Sequence, residues 1–429
     1  MQLNTQSRTE SGSWRLVGVR WWHSPARLVL FFILPAFLLL AFATPGIIEN
    51  APVLASHKVY VTPEYIIQAI SLLITLALSS FIFDKVPSTN KVVINNGALS
   101  FLFWATALAY LIWFGPMVAT RPDIVIGILL GSSGAVYESR DVAQHIPGVT
   151  SVTQFGIAYT IIYATKVYQD REALPRRYKL MMYAIFAMAI FRAIVASERI
   201  SLIEIAVPYF AVFTSSYRPR YNLQSTGIKF FPYILYAVAP VFFALFEYPR
   251  SWVNYYVNIY DTFSHFILDR FSLYYATSLN NICSALTNLP SPNFRGDWTL
   301  TWLYRLPILG DIISPGDVDY RAGTWPQGFL EQYGDPQYNN PTGILIAVFD
   351  WGLAPSYIVM IVYGAFLGIS YASFKKGAGA ARYVYPIFLY SIFELLRVGY
   401  IFDARAFSGI LGILIALLFW GRSRPLSAE

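Results

Sequence analysis

The chain has 429 residues, of which 56% are hydrophobic, 17% aromatic and only 13% charged. A water-soluble globular protein carries about 25% charged residues, so a polar shell for a body of this size is excluded. One cysteine, Cys283, excludes an internal disulfide framework and a cysteine-built zinc cluster, and the four histidines (His23, His57, His145, His265) include no pair at metal-ligand spacing, so no metal site is expected.

Residues 1–27 are polar and carry Arg8, Arg15, Arg20 and Arg27. The first apolar run, Leu28–Thr44, lacks a convincing small-residue cleavage site after it and is expected to be an uncleaved helix. Further runs follow at Pro63–Phe83, Gly97–Val118, Ser151–Tyr168, Leu180–Ser197, Ile200–Thr214, Phe230–Glu247, Gly343–Tyr371, Tyr383–Phe402 and Phe407–Trp420. Runs of about 15–22 residues fit membrane helices, whereas barrel strands would alternate over about 10. The expectation is an all-α integral membrane protein of about ten spans. Helices one to seven lie in 28–247, a large outer loop in 248–340, helices eight to ten in 341–421 and a tail in 422–429.

With the N-terminus inside, 19 of the 31 Lys and Arg residues fall in cytoplasmic segments, while 19 of the 24 acids fall outside or in the membrane. An excess of Lys and Arg in short cytoplasmic loops sets orientation. The net charge of +7 therefore reads as topology, and no nucleic-acid partner is expected.

Two outer segments stand apart. Residues 119–150 cannot cross an odd number of times, so Asp123–Val136 (DIVIGILLGSSGAV) is expected to be a re-entrant or interfacial piece broken at GSSG. Irregular backbone at membrane depth survives only where protein buries it or it lines a wet cavity. The loop 248–340 holds 10 of the 31 tyrosines and 4 of the 11 tryptophans. Its first part, Trp252–Leu286, lacks Pro and Gly and is predicted to be helical; its second part is punctuated by Gly and Pro. An aromatic-rich loop is expected to be an ordered lid, since disordered segments are poor in aromatics.

Motifs for phosphate loops, HExxH zinc, CxxC redox and Gly-x-Ser-x-Gly nucleophile chemistry are absent, and no cofactor is expected. What remains is a set of charges that the topology places at the outer surface. They are Glu138, Arg140, Asp141 and His145; Glu198 and Arg199; Glu394, Arg397, Asp403 and Arg405; and Arg295, Arg305, Arg321 and Asp350. Arg199 sits at the tip of a helical hairpin. A charge that reaches the membrane core costs about 2.5–3.5 kcal/mol, so it is usually kept for a partner. Either Glu198 neutralises it or it snorkels to headgroups, or it faces the bundle interior and holds a phosphate, which its planar fork of donors suits. Arg140 stands beside the broken segment, either as part of an anion site or as one of a set of cancelling charges with Glu138 and Asp141. Glu394 and Arg397, at i, i+3, share one helix face and form either a self-satisfied pair or part of a site. Asp350 is either a catalytic carboxylate or a helix-end group without chemistry.

The outer stretch SRDVAQHIPGVTSVTQFG, the hairpin SERISLIEI and the loop exit NNPTGILIAVFDWGLAPSYIVMIVYGAFLGISY resemble the bacterial oligosaccharide repeat-unit polymerases, the Wzy or O-antigen polymerase family. That resemblance implies a GT-C-like, metal-independent glycosyltransferase of the bacterial inner membrane with its site facing the periplasm. Its substrates would be undecaprenyl-diphosphate-linked oligosaccharides, membrane lipids would surround it, and a chain-length regulator is a further candidate partner. The family's outer-face arginines map onto Arg140 and Arg199, with Arg397 or Arg405 as a third. Arg321, His145, Tyr338 and Asn340 are added as substrate-binding candidates, and Glu138, Asp141, Glu198 and Asp350 as candidate proton acceptors. The related ligases carry a histidine near the exit of the large loop; here that region reads QYNNPTG, which favours a polymerase. A flippase or transporter is the reading from another class, but repeat halves of the kind transporters show are not visible in the sequence.

Overall fold

In a computed structural model, the residues described are 6–8, 14–16, 18–86, 90–130, 132, 134–143, 146–196, 198–217, 223–306, 309–313 and 323–425. Helices fill every apolar run, and the only strands among the described residues form two short antiparallel pairs. The helices are α1 (Pro25–Glu49), α2 (Pro63–Phe83), α3 (Asn96–Thr120), α4 (Pro122–Leu129), α5 (Ala135–Val142), α6 (Phe155–Ala164), α7 (Arg176–Val195), α8 (Ile200–Ser215), α9 (Phe231–Glu247), α10 (Phe263–Asn288), α11 (Ile346–Trp351), α12 (Leu353–Lys376), α13 (Tyr385–Glu394) and α14 (Ala404–Trp420). Five of these, α1, α2, α3, α7 and α12, are long and apolar enough to cross a membrane; α8, α9 and α14 are apolar but shorter.

Local chemistry sets several starts. Thr62 caps α2 through Tyr65 N–H, with Pro63 in the first turn; Asn95 caps α3 through Gly97 N–H, and Asp403 caps α14 through Arg405 N–H. All ten residues of α6 are buried, and α6 packs against α3, α8 and α14. A helix apolar on every side belongs in the centre of a bundle. α12 lies along α2 at close range: a Cβ on Gly364 would stand 2.6 Å from Ser79 Oγ, and one on Gly368 2.5 Å from the Ser80 carbonyl oxygen. Small residues four apart let two backbones approach this closely, and the gain is dispersion and a cross-helix bond from Ser79 Oγ to the Ile361 carbonyl at 2.7 Å.

One end of the bundle gathers basic connections. Lys91 and Arg382 both meet Asp170, at 3.1 and 2.8 Å; Lys166 meets Glu172 at 2.6 Å and Lys375 meets Asp84 at 3.2 Å. The strand Asn90–Ile94 pairs there with Gly421–Pro425. These are the segments that the charge pattern assigns to one side.

The other end differs from the sequence expectation in three places. The Trp252–Leu286 helix starts only at Phe263, where Thr262 caps it; Val253–Ile259 is rich in β-branched and aromatic residues that disfavour helix, and Tyr256 and Tyr260 instead pack on Phe266 at ring distances of 4.7 and 5.5 Å. The eighth run breaks at Gly352, whose φ of +81° a side chain would strain, into α11 and α12. The ninth ends at Glu394, because Thr342 and Gly343 cross the chain there and donate to the Leu395 carbonyl, both at 2.9 Å. Residues 122–142 hold two short helices, α4 and α5, with non-helical chain at Leu130, Ser132 and Gly134 between them. α5 is tied to the end of α7 by Ser139 Oγ donating to the Val195 carbonyl at 2.6 Å.

Candidate functional site

A cavity of about 1130 Å³ opens at this second end, between the α7–α8 hairpin tip, α9, α10, the loop exit and the chain around Glu394–Arg405. Arg199, Arg250, Arg270, Arg397 and Arg405 line it, with Glu198 and Glu394 as the lining acids among the described residues. The topology brings these together from five separate elements.

The centre is Glu247, the last residue of α9, fully shielded from solvent. Its Oε1 lies 2.9 Å from Arg199 Nη2 and 3.4 Å from Arg250 Nη1; its Oε2 accepts from Arg270 Nε at 2.8 Å. Arg199 stacks over Phe243, 3.9 Å from the ring centre, with Tyr274 on another side at 5.6 Å. Its Nη1 is buried and has no hydrogen-bond partner among the described residues. Burial raises the Tyr274 phenol, but Arg199 and Arg270 outweigh it and hold the group below its ordinary value. Arg270 also donates through Nη1 to Tyr256 Oη at 2.8 Å, Tyr338 Oη at 3.1 Å and Gln337 Oε1 at 3.3 Å, so it ties the loop exit to α10.

A second set sits across the cavity. Glu198 accepts from Arg192 Nε and Nη2, at 2.9 and 2.6 Å, and from Arg405. Behind it, buried Glu204 accepts from Tyr400 Oη at 3.0 Å and lies 3.8 Å from Arg405 Nη1. Glu394 accepts from Arg397 Nη2 at 2.7 Å and from Tyr390 Oη at 3.0 Å. Arg192 and Glu204 cancel. Among the described residues, the five lining guanidinium groups face three carboxylates, counting Glu247, and leave a formal excess of two positive charges. Ile200, Ile203, Ala239, Phe242 and Phe271 make the apolar part of the wall. A half-open cavity with that excess, and with a buried guanidinium nitrogen that has no partner among the described residues, is suited to an anion carried on an apolar tail.

Of the residues the sequence singles out, Arg199, Glu198, Glu394, Arg397, Arg405 and Asn340 line the cavity, and Tyr338 touches Arg270 behind it. Glu198 does not neutralise Arg199; it pairs with Arg192 and Arg405, and Arg199 pairs with Glu247. Glu138 is exposed and paired with Arg121 at 3.3 Å, and Asp141 is exposed on α5. Asp350 lies apart from the cavity and is sealed from solvent. It accepts from Trp298 N–H at 3.1 Å, Thr299 N–H at 2.7 Å and Thr299 Oγ1 at 2.8 Å, and burial pushes its carboxyl up to about 6. The Arg140 side chain, His145 and Arg321 lie outside the described residues. Arg250, Arg270 and Glu247 were not legible as site residues. Their one sequence signal is a glutamate closing an apolar run with an arginine three residues on. No protein-family model matches the sequence, and no curated protein or solved structure matches it.

Proposed function

We propose that this chain is a polymerase of undecaprenyl-diphosphate-linked oligosaccharide repeat units, spanning the bacterial inner membrane about ten times with the arginine cavity at the periplasmic face. The observation that carries this reading is the excess of two positive charges in a cavity with one apolar wall. A lipid diphosphate is a dianion on a hydrocarbon chain, and it matches both features. The acceptor sugar hydroxyl attacks the anomeric carbon of the donor glycan. The new glycosidic C–O bond forms as the bond to the diphosphate breaks, and the lipid diphosphate leaves with that electron pair. Arg199, Arg250 and Arg270 stand where charge grows on the leaving group, and fixed guanidinium groups in a partly desolvated site stabilise it most. The hydroxyl proton goes to a cavity carboxylate; Glu198 and Glu394 are the two that line it.

The test is the lipid-linked product profile of cells lacking the protein. Single repeat units attached to lipid A–core, with chain extension restored by the wild-type gene and not by Arg199→Ala, are expected. Polymer accumulating on the lipid carrier would instead indicate a ligase, and intermediates trapped on the cytoplasmic side a flippase.

A further inference from the structure

α9 carries one stripe of exposed apolar side chains, Ile234, Val238, Val241 and Leu245, at helical spacing, and Tyr248 continues it one turn on. The stripe does not stop where the helix does. Val253, Val257, Ile259 and Leu268 are all exposed, Leu268 by 61%, in the turns after α9 and the first turns of α10. The rest of the described loop to residue 340 has only Phe294, Ile312 and Ile313 as large exposed apolar side chains, so the concentration belongs to this segment. The same segment also faces the cavity: Arg250, Ser251, Asn254, Tyr255 and Tyr256 line it. It is thus a wall with cationic and polar side chains toward the cavity and, among its exposed side chains, the apolar ones above together with Asn258, Asp261, Thr262, Ser264 and His265.

We propose that residues 248–268 are seated in the lipid surface at the cavity end of the bundle, so that this wall separates the arginine site from the headgroup layer. The occupant of the outer face is bilayer lipid, because the face is continuous with the lipid-facing stripe of α9. Its mixture of Tyr, Val, Ile and Leu with Asn258, Thr262, Ser264 and His265 is that of an interfacial segment. The seat sets the depth of the site: a ligand held by Arg250 and Arg270 lies level with lipid headgroups and reaches the cavity without leaving the membrane plane.

The test is independent of enzymatic activity. Single cysteines Val257→Cys and Leu268→Cys, in a Cys283→Ser background, carry a nitroxide in bilayers of phosphatidylethanolamine and phosphatidylglycerol. Gln332→Cys, an exposed polar position further along the loop, is the water-exposed reference. The ratio of collisions with oxygen to collisions with a water-soluble nickel chelate is expected to be several-fold higher at 257 and 268 than at 332. Ratios equal to that at 332 would overturn the proposal, as would labels shielded from both reagents, which would mean a protein partner on this face.

Discussion

Arg199 and Glu247 meet at 2.9 Å although they belong to different helical hairpins, and the pair leaves one guanidinium nitrogen, Nη1, buried and without a partner among the described residues. A buried donor without an acceptor costs about 1–3 kcal/mol unless a ligand supplies one. Arg199 is therefore expected to be indispensable as arginine. Lys would keep the charge but lose the fork, which must bridge Glu247 and an anion at once. On the proposed function, Arg199→Ala and Arg199→Lys are each expected to lower chain extension by about 10²–10³, the loss typical of one electrostatic contact to a developing charge. Arg176→Ala, an exposed residue at the opposite end, should change nothing. Normal polymer from both Arg199 variants at normal protein levels would move the anion site to Arg397 and Arg405.

Glu247 is expected to matter for folding more than any other cavity carboxylate. It is the common counter-charge of three arginines, two of which, Arg199 and Arg270, are themselves largely buried. Glu247→Ala leaves three cations without it, and removing one partner of a buried pair costs about 3–5 kcal/mol. Glu247→Gln keeps the volume and one acceptor but turns an amide N–H toward a guanidinium, so a smaller loss is expected. Thermal unfolding of purified protein reads both. An unchanged melting temperature for Glu247→Ala would mean that the arginines are held by their aromatic neighbours alone.

The two ends of the bundle make a topological prediction. With Cys283→Ser as background, Ile312→Cys should react with an impermeant maleimide on intact spheroplasts, and Arg176→Cys only after the membrane is opened. Both positions are exposed, so lack of reaction reports sidedness. The reverse pattern would put the arginine cavity in the cytoplasm.

Most of the helical frame was legible because apolar runs and the alternation of basic loops are properties of local composition. The hairpin tip at Glu198–Arg199 followed from two basic clusters that had to lie on the same side. The partners of Arg199 did not follow. Glu247 and Arg270 reach it only because α10 folds back over α9, where Phe243 packs edge-on against Phe271 and Tyr274 at ring distances of 5.7 and 5.2 Å. No spacing in the sequence encodes such contacts. Asp350 shows the converse: the topology puts it at the outer surface as a candidate carboxylate, and the fold uses it to fasten the loop.

Asp350 gives the last prediction, in pH. Burial raises its carboxyl in the folded chain to about 6, against an ordinary 3.8. Between these values the folded state binds more protons than the unfolded one, so this group's contribution to stability falls as pH rises from about 4 to about 6 and stays low above. The difference corresponds to about 3 kcal/mol at 1.36 kcal/mol per pKa unit. Asp350→Asn does not titrate, so it lacks this pH dependence. The stability of wild type relative to Asp350→Asn is therefore expected to rise as the pH is lowered from 7 to 5. Melting temperatures at several pH values check it, and a wild type that loses stability relative to Asp350→Asn on acidification would mean that the three donors, rather than burial, set the charge state of Asp350.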